Sequence, residues 1–273
     1  MATQPQAPDT SAIKERQQKT WTSGNYAMVG NLLVVMGERL CEAVDLRAGE
    51  KVLDVATGSG NTALSAARCF CEVTAIDYVP ELIEQAKSRA AAERLEVSFE
   101  VGDAEDLPYP DASFDVVLST LGVMFAPNQE RAAAEMLRVC RPGGKIGLAN
   151  WTPEGFIGQM FRTMGKHVAP PPGIKAPPLW GTEERVRELL GEGVSSLEAT
   201  RKSYAWRYPS AESFVEYFRD YYGPTLKAFE SLEEGGREAL ARDLEALLAE
   251  WNTSGDETLV VPSEYLEVVA LRR

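Results

Sequence analysis

Between residues 51 and 151 the chain alternates between two hydrophobic rhythms. Short apolar runs rich in β-branched residues give way to longer stretches whose apolar positions recur every three or four residues, the signatures of buried strand and amphipathic helix. The runs predict strands at 51–56, 72–76, 96–101, 114–119 and 145–151, and the periodic stretches predict helices at 61–69, 80–92 and 128–140. Pro80 opens the second helix, Pro108 to Ser113 reads as a loop, and Pro142-Gly143-Gly144 turns the chain into the fifth strand. Such strands pair in parallel beneath crossover helices, so the pattern gives an α/β doubly wound sheet covered on both faces.

The flanks follow other patterns. Residues 1–12 are polar and contain proline, the composition of a disordered tail. Ile13 to Lys19 is polar helical sequence, and Asn31 to Ala43 places Leu32, Leu33, Val35, Met36 and Leu40 on one helical face, so 13–45 reads as an N-terminal helical cap. Thr152 to Gly181, with Pro170-Pro-Pro-Gly173 and Ala176-Pro-Pro-Leu-Trp180, has little regular periodicity and reads as a lid. Thr182 caps a helix that stops at Gly191, and Val194 to Tyr208 alternates as a sixth strand. Helices at about 210–221 and 235–251 form a helical insertion over 209–257. The closing strand, 258–271, carries Pro262 and so lies near an edge or is bulged there. Residues 13–273 are read as one domain.

Composition narrows the function. With 273 residues, 44% hydrophobic and 25% charged, the chain is expected to be globular. No apolar run approaches the ~20 residues of a membrane helix, and the start lacks a hydrophobic signal region, so a cytoplasmic location is expected. A net charge of −13 argues against nucleic acid and anionic lipid as partners and leaves a protein substrate open. Cys69-Phe-Cys71 has the wrong spacing for a metal pair and the chain has one histidine, so no metal site is expected and the four cysteines read as buried thiols. Monomer and homodimer both remain open.

The chemistry centres on Glu50 to Leu64, a strand, a turn at Gly58 and Gly60, and a helix start. The glycines allow a sharp turn and close approach of a ligand, and the helix start offers unpaired N–H groups, so the loop suits a nucleotide-like cofactor. Gly58-Ser-Gly60-Asn-Thr-Ala63 also satisfies the dinucleotide pattern, which keeps an NAD- or NADP-dependent oxidoreductase in view. The setting is Asp54-x-Ala56-x-Gly58-x-Gly60, however, and the next two strands end in Asp77-Tyr78 and Gly102-Asp103-Ala104, bringing three acids to one sheet edge.

Together with Phe114 to Ser119 and Arg138 to Gly147, these motifs make residues 21–152 resemble the class I S-adenosylmethionine-dependent methyltransferases, most of all their ubiquinone/menaquinone-biosynthesis C-methyltransferase-like small-molecule branch. The resemblance implies a Rossmann-like sheet of seven strands, mostly parallel, with the last antiparallel beside the fifth. It implies S-adenosyl-L-methionine as cofactor, S-adenosyl-L-homocysteine as product, and direct methyl displacement onto carbon or oxygen of a hydrophobic or aromatic small molecule. Asp77 would accept both ribose hydroxyls and Tyr78 would lie on the adenine. Asp103 would take the adenine amino group and the Ala104 N–H a ring nitrogen, with Glu105 nearby. Asp54, Ala56, Thr57, Gly58 and Gly60 would hold the amino-acid end, Asp54 through the ammonium or by fixing the loop. Ser119, Thr120 and Leu121 would line the path to the methyl, and Trp21 and Tyr26 would fold over the cofactor. Ala56 stands where the family usually has a glycine, which is tolerable at a negative φ. No catalytic residue is assigned. His167, Trp180, Tyr221 and Tyr222 are the candidate acceptor contacts, His167 as a possible base. A member that keeps the fold but has lost or changed its reaction is the remaining reading.

Overall fold

The computed structural model describes residues 10–273. Its centre is a seven-stranded sheet in the order β3-β2-β1-β4-β5-β7-β6. The strands are β1 (Lys51–Val55), β2 (Glu72–Asp77), β3 (Ser98–Val101), β4 (Phe114–Thr120), β5 (Cys140–Trp151), β6 (Val194–Tyr208) and β7 (Leu259–Arg272). β1 to β5 are parallel, while β7 runs antiparallel between β5 and β6. The chain order reverses between β1 and β4, and at such a switch point the crossovers leave on opposite faces and open a crevice above the strand ends. Val52, Leu53, Val55, Val116, Val117 and Leu118 are fully buried, as expected for central strands covered on both sides.

Helices α4 (Asn61–Arg68), α5 (Pro80–Glu93) and α6 (Gln129–Val139) supply the crossovers. The expected helix over 31–43 is two helices, α2 (Tyr26–Leu32) and α3 (Val34–Ala43), broken at Leu33 so that each packs its own apolar face. Helix α1 (Thr10–Thr22) includes residues 10–12, which extends the ordered chain into the expected 1–12 tail; residues 1–9 lie outside the described residues.

The stretch 152–181 is not irregular throughout. It holds α7 (Phe156–His167), whose Phe156, Ile157, Met160 and Met164 are buried, followed by a short 3-10 turn over Pro177–Gly181. The flanking prolines hid this helix because they end the periodic window on one side. Helix α8 (Glu183–Leu190) is capped by Thr182, whose hydroxyl accepts the Arg185 N–H. The insertion contains α9 (Ala211–Tyr221), α10 (Gly223–Glu230) and α11 (Glu234–Trp251), where only two helices were expected. Pro262 pairs with Ala205 of β6, beyond the last β5–β7 pair at Trp151 and Tyr265, so β7 has a single neighbour there and the missing N–H costs no ladder bond.

Candidate functional site

The ends of β1, β2, β3 and β4 and the roof formed by α1 and α2 line a cleft. Its floor is the turn after β1. Gly58 and Gly60 take positive φ values of 56° and 89°, and so does Ala56 at 54°, so the negative angle at which an alanine is readily tolerated is not the one adopted. The left-handed conformation costs a non-glycine residue roughly 1–2 kcal/mol. It is held by the opposing strand end, where Leu121 is also left-handed at 57° and Gly122 lies so close that a Cβ there would sit 2.3 Å from the Ala56 carbonyl oxygen.

Asp54 is buried beneath this turn. Its Oδ2 accepts the Thr57 hydroxyl at 2.6 Å and the Ala63 N–H at 3.0 Å, so of its two expected roles the structure shows the one that fixes the loop. Asp77 lines the cleft, its Oδ2 accepting the Gly58 N–H at 2.8 Å and its Oδ1 the Val79 N–H at 2.9 Å. Each carboxylate oxygen keeps a further lone pair for a ligand hydroxyl. Tyr78, Asp103 and Ala104 continue the wall, and Thr57, Thr120 and Leu121 complete it.

Helix α1 closes the cleft with three polar tethers that the sequence reading missed. Lys14 Nζ reaches Asp103 Oδ2 at 2.6 Å and Glu105 Oε2 at 2.5 Å; Gln17 donates to the Phe125 carbonyl at 3.1 Å and Gln18 to the Tyr78 carbonyl at 2.6 Å. Trp21, near the helix end, packs edge-on against Phe125, Tyr26 and Tyr222 with ring centroids 4.9, 5.5 and 5.6 Å apart.

Several expected contacts stand behind the wall instead of on it. Ser119 is fully buried, its hydroxyl donating to the Val55 carbonyl and accepting the Val123 N–H, so it staples β4 to β1. Gly60 faces Ala86 of α5, and Glu105 is occupied by Lys14 and the Asn128 N–H. Trp180 is fully buried under the 3-10 turn, Tyr221 packs on Tyr217, and His167 is paired with Asp243 of α11 at 2.7 Å; none of the three lines a cavity of this site. Helical pairing with α11 aims His167 away from the cleft, a fact that only tertiary structure carries.

Tyr222 does face a cavity. A second, narrow inner chamber lies against the cleft, walled by Trp151, Ile157, Met160, Trp206, Phe218 and Tyr222. Cleft and chamber share Trp21, Tyr26, Leu33, Leu121 and Phe125. These five apolar or aromatic residues form the partition between a polar compartment and an aromatic one.

Comparison with known proteins agrees with this architecture. The family described as a methyltransferase domain matches residues 53–148. The chain is 37% identical over 271 residues to an uncharacterised protein of Mycobacterium tuberculosis, covering 98% of each. It is 32% identical over 206 residues to the 27-O-demethylrifamycin SV methyltransferase of Amycolatopsis mediterranei, covering 72% of this chain and 68% of that one. The chain belongs to the class I S-adenosylmethionine-dependent methyltransferases. A crystal structure of a putative methyltransferase from Bacillus halodurans has the same fold, with a TM-score of 0.61 at 19% identity over 86% of this chain and 97% of that one. Membership of this family sets aside the oxidoreductase reading of the glycine spacing. Among the described residues no helix is long and apolar enough to cross a membrane.

The methyltransferase cleft contains two strained ionisations. Burial pushes the Asp54 carboxyl up to about 7 and the Asp77 carboxyl up to about 6, against the hydrogen bonds that favour their charged forms. An unfolded aspartate titrates near 4, so between about pH 4 and 7 the folded chain binds more protons than the unfolded one and these two groups lower stability as pH rises. Asp54→Asn retains an oxygen for Thr57 and Ala63 but removes the titration. The gap in melting temperature between variant and wild type, both free of cofactor, is expected to move in favour of the variant from pH 5 to pH 7.5; a gap that stays constant with pH would refute this assignment.

Proposed function

We propose that this chain transfers the methyl group of S-adenosylmethionine to carbon or oxygen of an apolar or aromatic small molecule. The observation that carries this is the shared partition: a cleft built for a nucleotide-like ligand abuts a chamber lined by aromatic rings. Ligand sites are commonly apolar pockets with a few placed polar groups, and the chamber fits that description. The relative that modifies 27-O-demethylrifamycin SV supports a small-molecule acceptor.

Within this reading Asp77 takes the ribose hydroxyls, Tyr78 the adenine face, and Asp103 with the Ala104 N–H the adenine edge. The turn from Ala56 to Gly58, held in place by the Thr57 N–H on the Ile76 carbonyl and the Gly58 N–H on Asp77, receives the amino-acid end. Thr120, Leu121 and the partition flank the route of the methyl. When bound, the cofactor supplies an activated methyl on a sulfonium, a good leaving group. The chain's own share is then alignment and exclusion of water, effects that reach on the order of 7 kcal/mol or more. With His167 paired outside the site, no histidine base is assigned.

The test is incubation of the purified chain with methyl-labelled S-adenosylmethionine and fractionated metabolites. Label is expected in an organic-extractable product. Cofactor binding with no label in any fraction would replace this reading with a member that has lost or changed its reaction.

A further inference from the structure

The inner chamber has one wall that its apolar character does not explain. On β6 and β7 the register pairs Tyr204 with Ser263 and Lys202 with Tyr265, and sets Trp206 opposite Val261. Directly paired residues share a sheet face, and Trp151 of β5 joins the same face through its pairing with Tyr265. The rings confirm the grouping: Trp151 lies 6.1 Å from Trp206 and 6.2 Å from Tyr265 between centroids, and Tyr204 lies 5.0 Å from Trp206.

Three polar atoms of this group, Trp206 Nε1, Ser263 Oγ and Tyr265 OH, are buried without a hydrogen-bond partner among the described residues. Their residues are at most 1% exposed. A buried donor left unmatched costs about 1–3 kcal/mol, so one unmatched group is uncommon and three on one patch call for a reason. Trp206 is the member of the three that walls the chamber. An indole N–H can only donate, so its complement is an oxygen or nitrogen lone pair.

We propose that the Trp206 N–H reads a hydrogen-bond-accepting oxygen on the methyl acceptor, so that the chamber selects ring molecules bearing a carbonyl or similar oxygen over bare hydrocarbons. This rests on the methyltransferase reading of the two compartments and goes beyond it by assigning a specificity residue. The aromatic walls supply affinity for any planar ring, while the donor discriminates among them. A neutral hydrogen bond in such a site is worth about 1.4 kcal/mol, or about tenfold in affinity.

The experiment uses the full chain saturated with S-adenosylhomocysteine and two probes of one bicyclic skeleton, 1-tetralone and tetralin, measured by equilibrium dialysis. The ketone is expected to bind about tenfold tighter, and Trp206→Phe is expected to erase that preference by weakening the ketone alone, with affinity for S-adenosylhomocysteine unchanged. Should the variant fail to fold, the wild-type chain with ¹⁵N-labelled indoles decides: one of the five tryptophan N–H signals should shift downfield with 1-tetralone and stay put with tetralin. Equal affinities, a preference that survives Trp206→Phe, no indole shift, or no binding of either ring would each overturn the proposal. Failure of the methyltransferase reading shows separately, as absence of S-adenosylhomocysteine binding at the first step.

Discussion

Replacing Asp77 by asparagine is expected to weaken binding of S-adenosylhomocysteine by about 100-fold while the chain stays folded. The two oxygens of this buried carboxylate already hold the Gly58 and Val79 N–H groups, and the residue lines the cleft with acceptor capacity left over. Hydrogen bonds to a charged group are worth about 1.5–3 kcal/mol, so loss of the charge across a ribose diol removes about 2.7 kcal/mol or more. Asparagine preserves shape but turns one oxygen into a donor that must oppose either a backbone N–H or a ribose hydroxyl. Titration calorimetry measures the loss. Methylthioadenosine, which keeps the diol and lacks the amino-acid end, should lose affinity by the same factor. A loss below threefold, or one confined to the longer ligand, would remove Asp77 from the ribose. Because burial raises this carboxyl to about 6, wild-type affinity should itself decline as pH falls below that value, when the neutral acid replaces the carboxylate.

The second large effect is expected from Gly122→Ala. A Cβ at this position would lie 2.3 Å from the Ala56 carbonyl oxygen and 2.8 Å from its Cβ. Neither atom is at the end of a flexible side chain. Relief requires the ends of β1 and β4 to separate, and these are the strand ends that carry the left-handed Ala56 and Leu121. Overpacking of a closely fitted interior costs about 1–3 kcal/mol, here at the upper end, which for a chain of this size is a fall of roughly 6–10 °C in melting temperature. Binding of S-adenosylhomocysteine should fall with it, since the turn from Ala56 to Gly58 loses its backing. Calorimetric melting and ligand titration together check the claim, and a variant that melts within 2 °C of wild type and binds normally would show that the two turns are not braced against each other.

The acids Asp54, Asp77 and Asp103 were legible because a buried strand announces its own end and a carboxylate there has few structural excuses. The parallel core was legible for the same reason. What the one-dimensional pattern could not carry was direction. Asp54 and Asp77 look alike in sequence, yet the first turns down to hold the loop and the second faces the cleft. Ser119 and Thr120 are neighbours on β4, and strand alternation alone sends one into the β1 staple and leaves the other on the cleft wall. Lys14, Gln17 and Gln18 were illegible because a polar helix is expected to face water, and nothing local says that its charged face has partners about 60 to 110 residues away. Trp180 and His167 misled for the opposite reason. An aromatic and an imidazole in a proline-rich stretch suggest a ligand contact, whereas here the first fills the core and the second braces α11.

Helix α1 is fastened to the ends of β2 and β3 and to the turn after β4, and its Trp21 is a wall of both compartments. Lifting it far enough to part Lys14 from Asp103 also draws the indole away from Phe125 and Tyr222. Helix α1 is therefore a hinge-side wall held in common: a movement of it that widens the way out for a spent nucleoside also loosens the aromatic side, and a change to this helix acts on both rooms at once.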